Sequence, residues 1–153
     1  MLRSAAVAAA ALMLLAQEKP ANAYSLTPTE TKFEAKGFVV LAWGSNSSSN
    51  CTMKLRGKIG SKGIGSVTSA SFSGRTCPAI TTSNLPWKIF ATSANTAVIA
   101  NVAMSILGNS CGPSNAPIGV TTNSFTFNGD ELNGCAIVTG ELYTSPTIAI
   151  TNP

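Results

Sequence analysis

The sequence contains no histidine, and only 10% of its 153 residues are charged. Without histidine the chain cannot build Ser-His-Asp or Cys-His catalytic systems, or the His-containing sites that hold zinc and non-haem iron. Average soluble domains carry about twice this fraction of charged residues. Ser, Thr, Asn and Gly are abundant instead, and this composition is typical of extracellular β-proteins.

The first 23 residues have the order of a secretory signal peptide. Arg3 provides a positive start, and Ser4 to Ala16 follow without a charge. That stretch is shorter than the roughly 20 apolar residues that a membrane-spanning helix needs. Ala21-Asn22-Ala23 matches the small-x-small pattern of a cleavage site, although an Ala-rich buried helix is the competing interpretation. We therefore predict cleavage after residue 23, export to the cell surface or medium, and no transmembrane segment in the mature protein.

Four cysteines follow this segment. In an exported chain an even number of cysteines predicts disulfides, and four cysteines allow three pairings. We expect Cys51–Cys77 and Cys111–Cys135, because each pair brackets a local strand unit. With no Cys-x-x-Cys motif and no histidine, we expect no metal site.

The clearest secondary-structure pattern begins at Phe33. One face of a period-two pattern carries Phe33, Ala35, Gly37, Val39, Leu41 and Trp43, and the other carries Lys32, Glu34, Lys36 and Phe38, as in a half-buried strand. Residues 24–32 are rich in Pro and Thr and are expected to form a flexible leader. About eight short strands follow one another along residues 33–153. This pattern predicts an all-β fold, a single small antiparallel β-sandwich-like domain.

Three local predictions are less direct. The run from Ala94 to Leu107 favours a strand over a helix, because β-branched residues alternate in it. In that strand the even-numbered apolar residues, from Val98 to Ile106, should share one face. The segment Gly108–Pro117 should be a loop, and Asn128-Gly129-Asp130 should be a tight turn.

No catalytic motif is evident. There is no Gly-x-Ser-x-Gly sequence, and the acidic residues Glu34, Asp130 and Glu141 are interpreted as surface charges. The competing interpretation is a glycan-binding or glycan-cleaving site that uses these carboxylates. The basic segment Lys54–Lys62 is too small to indicate nucleic-acid binding. We expect no cofactor.

Several short motifs together resemble a known family. They are Ser71-Phe72-Ser73-Gly74 before Cys77, Leu85-Pro86-Trp87-Lys88, Cys111-Gly112-Pro113, Gly134-Cys135, and the stretch from Thr144 to Ile150. Their order is similar to that in the PraB-type family of small secreted bacterial proteins, described as activators of alkane oxidation. The resemblance runs from about Phe33 to the end. It implies extracellular action that helps cells or medium to contact an oily phase, and it supplies no catalytic residues.

Two functions are compatible with these features. The first is a secreted non-enzymatic protein, surface-active or adhesive, whose partners are hydrocarbon or other apolar surfaces. The second is a self-associating subunit of an extracellular fibre or biofilm matrix, whose N-terminal strand pairs with a neighbour. The residues expected to make surface or self-assembly contacts are Phe38, Val39, Leu41, Trp43 and Trp87.

Overall fold

The computed structural model describes residues 23–75 and 77–152. Its elements are β1 (Ser25–Thr27), β2 (Thr31–Trp43), β3 (Ser47–Ile59), β4 (Gly65–Ser73), a 3-10 turn (Cys77–Ala79), β5 (Ile80–Ser83), β6 (Trp87–Ala91), β7 (Thr96–Ile106), β8 (Asn109–Val120), β9 (Ser124–Leu132), β10 (Cys135–Ser145) and β11 (Ala149–Thr151). Within these ranges no helix has the length and apolarity to cross a membrane. Residues 1–22 of the predicted signal peptide lie outside the described residues.

Nine of the described strands form one large antiparallel sheet that closes on itself, and β1 and β11 form a separate two-stranded sheet. Its order is β5-β7-β6-β4-β3-β2-β10-β9-β8, and β8 also pairs with β7. The expected all-β antiparallel fold is therefore confirmed. In finer detail, the β7–β8 pairing joins the ends of the sheet, so that one continuous sheet surrounds the core.

Strand β2 follows the alternation predicted from the sequence. Phe33, Ala35, Val39 and Leu41 are buried, and the residues between them are half-buried or exposed. Phe33 meets Phe125 of β9 edge-to-face, with ring centroids 6.2 Å apart. Such aromatic pairs stabilise a core beyond the area they bury.

Strand β7 confirms the strand interpretation of this segment but corrects the predicted face. Its ladder with β8 shifts register between Ile99 and Val102, and Asn101 has a φ of 58°. This bulge changes which residues point inward. Ala97 and Ile99 are buried before it, whereas Val98 is only half-buried, so the prediction of a single even-numbered face is wrong.

The bulge is stabilised by side-chain amides. Asn84 donates to the Asn101 carbonyl at 3.0 Å, and the Asn101 N–H donates to Asn115 Oδ1 at 3.2 Å. Backbone groups that the irregular ladder would leave without partners are thus hydrogen-bonded.

Two turn predictions in the second half of the chain are wrong. The segment Gly108–Pro117, expected to be a loop, forms most of β8, because it pairs along the whole length of β7. Asn128-Gly129-Asp130, expected to be a tight turn, lies inside β9, which keeps one register with β10 on both sides of Gly129. The chain reverses at the next Asn-Gly pair, Asn133-Gly134.

The segment expected to be a flexible leader is part of the folded domain. Within residues 24–32, β1 pairs with β11 near the C-terminus, and Leu26 is fully buried. The Leu26 N–H also donates to the Gly63 carbonyl at 2.9 Å. The leader prediction is therefore wrong. The segment is mostly polar, but the side chain of Leu26 packs in the core.

Leu26→Ala tests this correction. Truncating a buried leucine typically costs about 2–5 kcal/mol of unfolding free energy, whereas a leader outside the fold would show almost no change. Denaturant unfolding of the variant measures the difference. Thr29→Ala, at an exposed position nearby, is the control and should stay within about 0.5 kcal/mol of the parent.

Candidate functional surface

The outer face of β2 changes from charged to apolar along the strand. Its outward residues are, in order, Lys32, Glu34, Lys36, Phe38, Val40 and Ala42. Phe38 is 50% exposed. The register places it between Thr52 of β3 and Glu141 of β10. Its ring is therefore flanked by polar side chains but faces solvent.

Strand β10 extends this apolar surface. Val138 is 44% exposed at the irregularity between Ile137 and Thr139, and Tyr143 is 59% exposed. Tyr143 lies opposite Lys36, so it is a diagonal neighbour of Phe38, within reach of an aromatic side chain. We call Phe38, Val40, Val138 and Tyr143 the apolar patch.

Glu34 organises the charged half of the surface. Arg56 Nε donates to Glu34 Oε2 at 3.0 Å, and Lys54 Nζ lies 3.9 Å from the same oxygen. The hydrogen bond from Arg56, followed by the attraction of Lys54, holds the pKa of Glu34 below its ordinary value. Lys58 pairs in the same way with Glu30 at 3.0 Å. Such exposed pairs stabilise little individually, and they orient the long basic side chains.

The structure corrects most of the predicted contact residues. Val39, Leu41 and Trp87 are fully buried, and Trp43 packs partly buried against the core. Trp87 also donates from Nε1 to the Ser83 carbonyl at 2.9 Å. These side chains stabilise the interior, because they lie on the inward faces of their strands. Only Phe38 of this set is exposed.

The hypothesis of a fibre subunit requires the N-terminal strand to pair with a neighbouring molecule through an open edge. Strand β2 is hydrogen-bonded to β3 on one side and to β10 on the other. Both its edges are occupied, so it cannot add to a neighbour's sheet in this folded state.

The cysteines are paired as expected. Cys51–Cys77 and Cys111–Cys135 form disulfides, with Cα atoms 5.8 and 5.4 Å apart. All four thiols are thereby removed from nucleophilic and metal chemistry. Across the ranges that the structure describes, no cluster of three or more His, Cys, Asp or Glu residues could hold a metal ion.

Asp130 is buried, so its interpretation as a surface charge is wrong. It lines a groove of about 470 Å³ where β8 and β9 separate beyond their two paired rungs, Gly119–Thr126 and Val120–Phe125. Oδ2 of Asp130 has no hydrogen-bond partner, and burial raises the pKa of this carboxyl to about 6.

The three acidic residues considered for glycan chemistry do not converge. Glu141 is exposed on β10, Asp130 is buried on β9, and Glu34 is bound by Arg56. The register places Glu141 opposite Thr126, four residues along β9 from Asp130. A pair of carboxylates flanking one scissile bond is therefore not formed by these residues.

The buried carboxyl predicts a pH-dependent stability. Because the pKa of Asp130 is raised from 3.8 to about 6 in the folded state, folding favours the protonated form. Stability should fall as the pH rises from about 4 to 6, and remain lower above that range. Asp130→Asn removes the charge, so the variant should gain about 1 kcal/mol over the parent at pH 7.5 and much less at pH 4.

Urea unfolding at the two pH values measures this difference, with the exposed neighbour variant Glu131→Gln as the control. An Asp130→Asn effect of equal size at both pH values would contradict the account of a buried charge.

The chain was compared with protein families, with curated proteins and with solved structures. One family model, described as "Alkane oxidation protein activator PraA/PraB-like", matches residues 1–152. No curated protein and no solved structure matches. The family expected from the sequence motifs is confirmed, and its description connects the family with the activation of alkane oxidation. The chain belongs to the PraA/PraB-like family of alkane oxidation protein activators.

Proposed function

We propose that this protein is an exported, non-catalytic, surface-active protein that promotes contact between producing cells and hydrocarbon. The observation that carries the proposal is the two-part outer surface. Exposed aromatic and aliphatic side chains of the apolar patch, on β2 and β10, lie next to a cluster of basic and acidic groups on β2 and β3. A surface with one apolar and one charged part can lie at an oil–water boundary with each part in its preferred medium.

The closed sheet is suited to such a role. Its core contains the large inward side chains. One disulfide links β3 to the 3-10 turn, and the other links β8 to β10, the strands on either side of β9. In the chain-entropy model, loops of this size stabilise by about 3.5 kcal/mol each. A domain held in this way can present apolar side chains to an interface without exposing its interior.

Three features support a role without catalysis. The family is described as an activator, the chain has no histidine, and all four cysteines are in disulfides. Among the described residues, Asp130 is the carboxyl with a strongly raised pKa, and it lies in a groove apart from the other two acids. Surface contact, rather than turnover of a substrate, fits these features best.

Export is supported by two observations. The order of residues 1–23 is that of a signal peptide, and disulfides persist mainly in oxidising compartments. A protein that promotes contact with hydrocarbon must reach the medium or the cell surface, where the insoluble substrate is found.

Substitution in the apolar patch tests the proposal. Phe38→Ser combined with Val138→Thr should reduce hexadecane emulsification and the lowering of interfacial tension several-fold, because it removes two exposed apolar groups from one surface. Leu107→Asn, which removes a 57% exposed leucine from a turn where Asn is well tolerated, is the matched control and should change little.

Heat-treated protein is the second control. If the purified parent performs no better than its heat-treated form, or if the control variant loses as much activity as the patch variant, then the folded patch is not responsible and the proposal fails.

A further inference from the structure

A second surface combines cationic and apolar side chains, and it lies apart from the apolar patch. An open groove of about 390 Å³ is lined by the turn between β3 and β4 and by the outer face of β6. Its walls include Lys58, Lys62, Ile64, Lys88 and Phe90. The volume is within the range of small-molecule sites, about 300–1,000 Å³.

The register brings these residues together from distant parts of the sequence. Lys58 lies opposite Ser66, and Ser66 lies opposite Lys88 on the next strand. Phe90 is two residues beyond Lys88 on the same face of β6, and it is 42% exposed. Ile64 is 38% exposed. An apolar pair thus lies beside a row of ammonium groups.

The cations of this groove are incompletely neutralised. Among the residues that the structure describes, Lys62 and Lys88 form no ion pair with a carboxylate. Lys88 Nζ has only the Ser66 hydroxyl, at 3.4 Å. Lys58 is paired with Glu30 but lies opposite another cation, Lys32. Facing cations repel each other across strands, so an anion bound here would relieve that repulsion.

The turn that forms one wall of the groove is fixed in position. Gly60 N–H donates to the Ile64 carbonyl at 2.9 Å, and the Gly63 carbonyl accepts from Leu26 of β1 at 2.9 Å. Gly63 has a φ of 72°, and a side chain there would collide with Ser25. Because β1 holds the turn, the groove is formed before any ligand arrives, and binding need not order it.

We propose that this groove binds a medium-chain fatty carboxylate. The carboxylate would lie between Lys62 and Lys88, and the alkyl chain would cover Ile64 and Phe90. The charge of the groove selects an anion, and the exposed apolar pair beside it selects a chain over a small inorganic ion. An alkane oxidised at its terminal carbon to an acid has this chemistry. The site uses different residues from the apolar patch, so it goes beyond the proposed surface activity.

Calorimetric titration of the exported protein with sodium decanoate, below its micelle concentration, tests the site. Saturable binding of one decanoate per chain is expected, whereas acetate and decyltrimethylammonium should not bind. Lys62→Gln with Lys88→Gln should weaken binding about tenfold, which corresponds to the loss of two exposed charge contacts. Phe90→Ser should weaken it by a similar factor through lost apolar contact.

The matched control is Lys36→Gln with Arg75→Gln, which lowers the net charge equally but leaves the groove intact. If this control weakens decanoate binding as much as the groove variant, the attraction comes from net charge and the site is overturned. Equal binding of decyltrimethylammonium, or no binding of decanoate, also overturns it. Emulsification by the Lys62→Gln, Lys88→Gln variant should be unchanged, so failure here is distinguishable from failure of the surface-active function.

Discussion

Strand β7 is hydrogen-bonded to β5 and β6 along one edge and to β8 along the other, and the pairing with β8 closes the sheet. Closure pairs edges of β7 and β8 that would otherwise be open, and it gives the inward side chains a shared interior. The bulge at Asn101 lies at this junction. It separates the part of β7 that pairs with β6 from the part that pairs with β5, while β8 pairs along the other edge. The remaining surface features depend on this arrangement.

Because β2 lies between β3 and β10, both of its backbone edges are paired, and its outward side chains are held in fixed positions on the surface. The register places cations from β2, β3 and β6, and from the turn between β3 and β4, on one outer face, although the sequence separates them by up to 56 positions, from Lys32 to Lys88. The apolar patch and the basic groove therefore both depend on the strand register, which brings residues from different strands together. The apolar patch fits contact with an oil phase, and the basic groove fits an anionic chain.

The sequence predicted the parts of the fold that depend on local alternation. Strand β2 could be predicted because its buried residues follow a period of two. The disulfide pairing could be predicted because each pair of cysteines brackets a local strand unit, and the structure confirms it. Where a bulge or long-range pairing decides the structure, the same reasoning failed. Two Asn-Gly pairs occur, and only tertiary pairing determines that Gly129 lies within β9 and Gly134 in a turn. Of the predicted contact residues, Phe38 is exposed, Trp43 is partly buried and the others are buried, since period alone cannot say which face is covered.

Amide hydrogen exchange of the exported protein tests closure most directly. We expect amides of β2 and of the β7–β8 ladder to exchange only with global unfolding, because β2 is paired on both sides and the β7–β8 ladder closes the sheet. Amides around Asn128, where β8 and β9 separate, should exchange faster. If the β7–β8 ladder exchanged well before global unfolding, the sheet would be open between these strands in solution, and if β2 did so, an edge of this strand would be available to a neighbour.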